Sequence, residues 1–288
     1  MNKIKVHCLG PEGTYGHEVV MKVFLNADEI VFHDSNSEIL FALEEDEDPL
    51  SFGIVPIENS TKGLVTEIVN DFWLPKVDSG FSYLEVVGEF CNPVRHVLAK
   101  NNNRKKIKRI FSHPQALGQC AENIKLLEVE LGVKIELIAT KSTAGSIDKI
   151  ERPGDAAICS EFAANLRGIN IVKRNFNDKD NNQTLFHVLT KGNSDFGLKT
   201  HTAILFTLKD EPAALIRALN CISDYGANMH MIHSIPVGIP GKYAFYIEYD
   251  ENTDSNNGKG IISNLGHSTE DLIIIGSFIK LSEREVLQ

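Results

Sequence analysis

The sequence predicts an α/β protein in two parts: a two-lobed body with a cleft between its lobes over residues 1–192, and a small βαββαβ domain over 193–288. Three observations predict it. Short β-branched runs alternate with amphipathic stretches through the first part, the pattern of strands joined by helices. Four or five of those strand ends, from Gly10 through Thr184, carry small polar clusters, where open α/β sheets place ligands. A polar stretch, Lys191–Gly197, then separates that body from one strand–helix–strand–strand–helix–strand pass, the ferredoxin-like order. The long return from residues 80–165 to Thr184 sets the expected lobes. The first covers about 1–78 with 168–192, and the second about 79–167.

Composition narrows the function classes. A chain of 288 residues can bury core for about two domains without staples. The net charge of −10 counts against a nucleic-acid partner, which calls for a basic surplus. A locally basic pocket could still take a small anion. The five cysteines are far apart, odd in number and without CxxC spacing, so neither a disulfide framework nor a zinc site is indicated, and a reducing cytoplasm fits. The start, MNKIKVHCLG, reads directly into a strand with no long apolar leader. No run approaches the roughly 18 apolar residues of a membrane span.

In order, residues 4–9 read as a strand ending in the turn Gly10-Pro11-Glu12-Gly13-Thr14-Tyr15-Gly16, followed by a helix carrying Val19, Val20, Val23 and Phe24. Amides at a helix N-terminus favour an anion, but the turn is neither GxGxxG nor a Walker loop. Ser35 to Leu43 is a second helix with Ser37 as its cap, and Glu44–Asp48 is a solvated acidic loop. The buried strand Phe52–Ile57 ends in Glu58-Asn59-Ser60-Thr61-Lys62-Gly63, before a helix near Val65. Two strand-like runs surround Cys91-Asn92-Pro93, and Lys105, Lys106, Lys108 and Arg109 form a solvated face. Ile110-Phe111 leads to Ser112-His113-Pro114-Gln115-Ala116, where Pro114 suits a first helical turn and Ser112 its N-cap. Residues 133–139 alternate as a strand, and Ser142-Thr143-Ala144-Gly145-Ser146 opens a helix. Asp155–Cys159 is a strand, Ser160–Arg167 a helix closed by Gly168, and Ile169–Val172 a strand. Asn181, Asn182 and Gln183 then form a loop that feeds a buried strand from Leu185, with the Thr184 hydroxyl where loop becomes strand. In the last domain the helix after Pro212 turns Leu215, Leu219 and Ile222 to one side and ends at Gly226. The alternation implies a largely parallel sheet or two such sheets. HExxH and GxSxG are absent, which argues against a metalloprotease or an α/β-hydrolase.

Five stretches in order resemble the prephenate dehydratase family: Gly10–Tyr15, Val55–Ser60, Ser112–Leu117, Ser142-Thr143-Ala144 and Asn182-x-Thr184-x-Phe186. Gly276-Ser277-Phe278 resembles the last strand of that family's C-terminal ACT domain. The resemblance implies a periplasmic-binding-protein-like catalytic domain over 1–192 and an ACT regulatory domain over 193–288. It implies decarboxylating dehydration of prephenate to phenylpyruvate, in phenylalanine biosynthesis, with no metal or organic cofactor and no nucleic-acid or membrane partner. By the same match Thr184, Asn59 and Ser60 are catalytic. Thr14, Glu58, Ser112, His113, Gln115, Ser142, Thr143, Asn182 and Phe186 bind substrate. Ala213, Ala214, Leu215, Asn228, His233 and Ser234 fall at the effector site.

The family reads Thr-Arg-Phe where this chain has Thr184-Leu185-Phe186. Strand neighbours point to opposite faces, so with Thr184 at the cleft Leu185 points away. His233-Ser234-Ile235-Pro236 stands for the family's Glu-Ser-Arg-Pro, and Ala213 for a glycine, so a weak or absent response to phenylalanine is expected. Two other readings follow from these departures: a prephenate decarboxylase of a specialised pathway, and a non-catalytic amino-acid or keto-acid sensor. An exposed sheet edge implies a homodimer or homotetramer.

Overall fold

The computed structural model describes residues 3–79, 84–101, 105–191 and 197–282. The first segment runs β1 (Lys5–Leu9), α1 (Tyr15–Val23), β2 (Glu29–His33), α2 (Asn36–Glu45), β3 (Ser51–Asn59) and β4 (Gly63–Leu64). α3 (Thr66–Ile68) continues through a π turn and a 3-10 turn to Ser79, and β5 (Leu84–Pro93) follows. Next come β6 (His96–Lys100), β7 (Arg109–Ser112), α4 (Pro114–Gln119), α5 (Ala121–Leu131), β8 (Glu136–Ala139), β9 (Asp155–Ser160), α6 (Glu161–Leu166) and β10 (Asn170–Lys173). The chain returns through β11 (Gln183–Lys191) and ends in β12 (His201–Thr207), α7 (Ala214–Ser223), β13 (Met229–Pro236), β14 (Tyr243–Tyr249), α8 (Asn256–Ser268) and β15 (Leu272–Leu281). The last six elements are the expected βαββαβ. Within the expected linker, residues 192–196 lie outside the described residues.

The second lobe is a five-stranded sheet in the order β10-β6-β9-β7-β8. The first lobe and the C-terminal domain share one larger sheet, in the order β13-β14-β12-β15-β5-β11-β3-β1-β2. Both sheets are mixed rather than largely parallel: β1 runs parallel to β2 and β3, while β11 is antiparallel to β3 and β5. The lobe limits expected at 79 and 168 also move. β5 pairs with β11 in the first sheet, and β10 pairs with β6 in the second. The chain therefore crosses between lobes at Pro93–His96 and again between Lys173 and Gln183. Strand partners are chosen by burial far away in sequence, which local patterning does not carry.

Two expected caps are reassigned. Ser35, not Ser37, caps α2, its Oγ accepting from the Glu38 amide at 3.2 Å; Ser37 sits inside the helix and donates to Asp71 at 3.2 Å. His113, not Ser112, caps α4, with Nδ1 accepting from the Gln115 amide. The acidic loop is partly engaged as well. α2 extends through Glu45, and Asp46 accepts from Lys5 (2.9 Å) and Ser51 (2.7 Å). Burial pushes the Asp46 carboxyl up, but the Asp48 amide, Lys5 and Ser51 outweigh that and hold it well below the usual carboxylate range.

β15 joins β5 in parallel, pairing Ile279 with Gly88 and Lys280 with Glu89. Gly276 makes this approach feasible. A Cβ there would lie 2.5 Å from the Val86 amide nitrogen and closer still to its carbonyl oxygen. One apolar core spans the join, with Phe72, Trp73, Leu84, Val86 and Leu189 packed against Leu205, Met231, Ile235, Tyr246 and Phe278. Beside it lie three buried ionisable groups: Glu89 (4% exposed), His187 (2%) and Glu248 (2%). His187 Nε2 is 3.1 Å from Glu248 Oε1, which also accepts from the Tyr246 hydroxyl at 2.5 Å. Burial, then the like charge of Glu248, raises the Glu89 carboxyl above its ordinary range. Burial also opposes ionisation of Glu248, but His187 and Tyr246 outweigh it, and its pKa falls.

Candidate active site

Between the two lobes lies a cleft of about 470 Å³. Its base is built on adjacent strands of the first lobe. In the ladder Thr184 of β11 stands opposite Asn59 of β3 on one side and Asn92 of β5 on the other. Directly opposed residues project to the same face, so these three polar side chains share a row. The two N–H groups of Asn59 Nδ2 are shared among three acceptors, Thr184 Oγ1 (2.9 Å), Asn182 Oδ1 (2.9 Å) and the Gln183 carbonyl (3.1 Å). The Thr184 hydroxyl thus has its acceptor side occupied and its own proton free to donate. Asn182 is 4% exposed, and its Nδ2 has no partner in the structure. Asn182 Nδ2 is thus a buried donor left unpaired in a residue that lines the same cleft.

Around that base the cleft brings together Thr14, His113, Gln115, Ser142, Thr143 and Phe186. Thr14 is already committed, because its Oγ1 donates to the Leu9 carbonyl at 2.7 Å and caps α1 by accepting from the His17 amide. Ser142 Oγ accepts from the Gly145 amide at 3.0 Å, opening a 3-10 turn at Ala144–Lys149. That acceptor role leaves its hydroxyl proton available. Three expected residues lie elsewhere. Ser60 Oγ donates to the Asn181 carbonyl and accepts from the Gln183 amide, so it ties the β3–β4 turn to the start of β11. Ser112 is fully buried and donates to the Ile158 carbonyl at 2.7 Å. Glu58 stands opposite Leu185 in the ladder and lies 3.4 Å from His233 Nε2 of the C-terminal domain. Leu185 packs into the core at the domain join. Glu58 and Leu185 therefore share the face away from the cleft.

The cleft also contains side chains that the sequence reading did not select. Tyr15 Oη lies 2.8 Å from the Arg95 carbonyl and 3.0 Å from His96 Nδ1. His96 Nε2 lies 3.0 Å from Gln119 Oε1, and burial lowers the His96 pKa, keeping the ring neutral. Lys62 and Lys141 line the mouth, one from each lobe. Tyr15 and Lys62 lie within the polar strand-end clusters, and Lys141 directly precedes Ser142; only alternation could have singled out His96. The glycine-rich turn serves the lobe contact. Gly13 has φ +93°, and a Cβ there would meet Ala163 and Ala144 of the second lobe at 3.3 and 3.6 Å.

In the C-terminal domain Ala213, Ala214 and Leu215 line a second cavity of about 730 Å³, which Asn228, His233 and Ser234 do not line. Ala213 adopts φ +62°, a left-handed conformation that favours glycine. Among the described residues, metal-ligating side chains come together at Glu89, His187 and Glu248, within 4.8 Å of one another, at the domain join rather than in the cleft. Lys280 Nζ, 3.7 Å from Glu89, already places a cation there.

Fold and cleft define a two-lobed α/β protein with a cleft between its lobes and a βαββαβ domain joined to one sheet. A family model described as prephenate dehydratase matches residues 6–194, and the chain belongs to the prephenate dehydratase family. It is 30% identical over 288 residues to the prephenate dehydratase of Methanocaldococcus jannaschii, covering 96% of this chain and 98% of that one. A solved prephenate dehydratase from Arthrobacter aurescens, in complex with L-Phe, superposes with a TM-score of 0.81 at 24% identity, over 99% of this chain and 92% of that one. A structure described as GqqA, a novel type of quorum quenching acylases, shares the fold with a TM-score of 0.79 at 22% identity, over 98% and 100% of the two chains. No helix among the described residues is long and apolar enough to cross a membrane.

Proposed function

We propose that this protein converts prephenate to phenylpyruvate, with Thr184 acting on the departing ring hydroxyl. The observation that carries the reading is the Asn59–Thr184 bond, which engages the hydroxyl of a cleft-lining residue as acceptor and leaves its proton available to donate. In the reaction the bond from ring to carboxylate breaks and its electron pair enters the ring. The carbon–oxygen bond at the far ring position breaks as the ring becomes aromatic. One proton is consumed, so the prephenate dianion gives the phenylpyruvate anion, carbon dioxide and water. Hydroxide is a poor leaving group, and a hydrogen bond that strengthens as negative charge grows on its oxygen lowers the barrier. Threonine is too weak an acid to give up its proton fully, so its role is to donate that bond. The unpaired Asn182 Nδ2 supplies a second donor nearby. Fold alone does not choose the reaction, since one fold hosts many; family membership and this constellation together support dehydration.

The test is incubation of the purified protein with prephenate, following phenylpyruvate absorbance in alkali and product mass. Phenylpyruvate supports the reading. A non-aromatic decarboxylated product would assign it as a decarboxylase, and saturable binding without turnover would assign it as a sensor.

The product is fed to phenylalanine biosynthesis in the cytoplasm, a compartment that suits five free thiols. Residues 193–288 form an ACT-type domain, a reading supported by the βαββαβ order. Its response to phenylalanine is weak: His233 is turned to Glu58, and Ala213 brings a methyl group where the left-handed turn favours glycine. Phenylalanine titration of activity and of oligomer size, expected to be homodimeric or homotetrameric, tests this.

A further inference from the structure

We infer that Lys62 and Lys141 form a clamp across the cleft mouth that grips the carboxylate the substrate keeps. The inference rests on the dehydratase reading and adds the part of the site that selects a dianion. The chain carries a net charge of −10, so its long-range field repels such a substrate and attraction must be local. Among the described residues, Lys62 and Lys141 are the lysine and arginine residues that line the cleft, one on each lobe. Both are exposed, and neither ammonium has a hydrogen bond or ion pair among the described residues. Their backbones are nonetheless tied down. The Lys62 amide donates to the Asn59 carbonyl at 3.0 Å, and the preceding Thr61 donates to Asn59 Oδ1 through both its amide (3.1 Å) and its hydroxyl (2.6 Å). Lys141 sits in a turn closed by Thr140 Oγ1 on the Ser142 carbonyl at 2.9 Å. Two unengaged cations, on tied loops of opposite lobes that line one cleft, can meet at one anion bound there.

The chemistry selects which anion. With the ring hydroxyl at Thr184, both carboxylates lie at the opposite end of the ring, away from the cleft base. One of them leaves as neutral carbon dioxide. A cation held against it would stabilise the ground state more than the transition state and slow the step. A cation against the keto-acid carboxylate, whose charge persists into product, lowers KM without that penalty. The lysines therefore hold the keto-acid carboxylate, and neutral donors such as Gln115 and Thr143 are left for the departing one.

The experiment measures KM and kcat for prephenate, and the inhibition constant of phenylpyruvate, in wild type, Lys62→Gln, Lys141→Gln, both arginine variants, and the charge-matched control Lys259→Gln on α8. Each glutamine variant should raise KM about tenfold, with kcat changed far less, and should raise the phenylpyruvate constant by the same factor. Arginine should restore both, and the control should change neither. The wild-type KM should rise with salt, and the double glutamine variant should lose that dependence. Unchanged KM in both glutamine variants overturns the clamp while wild-type turnover leaves the dehydratase reading standing. A raised KM with an unchanged phenylpyruvate constant overturns the assignment to the retained carboxylate. If wild type does not turn over, calorimetric titration with prephenate decides: equal affinity in wild type and variants overturns the clamp, and no binding overturns both.

Discussion

Replacing Thr184 with valine removes one hydroxyl and keeps the shape of the side chain, so it isolates the bond on which the mechanism turns. The structural cost should be small. Thr184 Oγ1 accepts one hydrogen bond, from Asn59 Nδ2, and that nitrogen keeps the Asn182 and Gln183 acceptors at 2.9 and 3.1 Å. Two acceptors remain for its two N–H groups, so the loss should cost at most about 1 kcal/mol of stability. The catalytic cost should be larger, because in the proposed role the hydroxyl's free proton meets an oxygen whose charge grows only in the transition state. Removing one such donor typically lowers kcat about 100-fold, or about 2.7 kcal/mol, and tenfold is the floor for a meaningful role. KM should change little, since the bond is weak in the ground state. Thr184→Ser keeps the oxygen and should recover most of the rate. The assay is phenylpyruvate formation at saturating prephenate, beside a urea melt to show folding. A valine variant that folds and keeps kcat within threefold of wild type would refute the role given to Thr184.

Three further outcomes follow from the domain join and the strand faces. Gly276→Ala should lower stability by about 3 kcal/mol, because its Cβ meets the Val86 backbone; an unshifted urea midpoint would show that β15 and β5 can part without loss. Glu89 has a raised folded pKa, so its contribution to stability is fully present below the unfolded carboxyl value and is lost as pH rises through the folded one. Glu89→Gln, neutral at every pH, should therefore raise the thermal midpoint at pH 8 and leave it unchanged near pH 4, and a gain that is larger in acid would reverse the sign of the argument. Leu185→Arg should leave the KM for prephenate within twofold of wild type, because the new guanidinium would face Glu58 across the ladder; a tenfold lower KM would place residue 185 at the substrate.

What could be read from the sequence divides along one physical line. Features set by a residue's own neighbours were legible: the strand–helix alternation, the βαββαβ order, the helix that begins beside Ser160, and the outward face of Leu185 once Thr184 was placed at the cleft. The same alternation, carried to β3, separates Glu58 from Asn59 and would have moved Glu58 off the substrate list. Ser112 departs from its expected cap because a hydroxyl after a strand can cap the next helix or turn inward, and only the carbonyl of Ile158, on a strand far along the chain, decides between them. The exchange of β5 and β10 between lobes has the same origin. The glycines make the distinction sharpest. Gly168 and Gly226, at φ +62° and +77°, end their own helices, and the sequence announces them. Gly13 and Gly276 are glycines because Ala163 and the Val86 backbone press against them. Both stood in motifs that marked them as important, yet the motif in the first case suggested an anion cradle. A glycine demanded by a distant partner carries no local signature of that demand, so its role emerges only when the two surfaces are brought together.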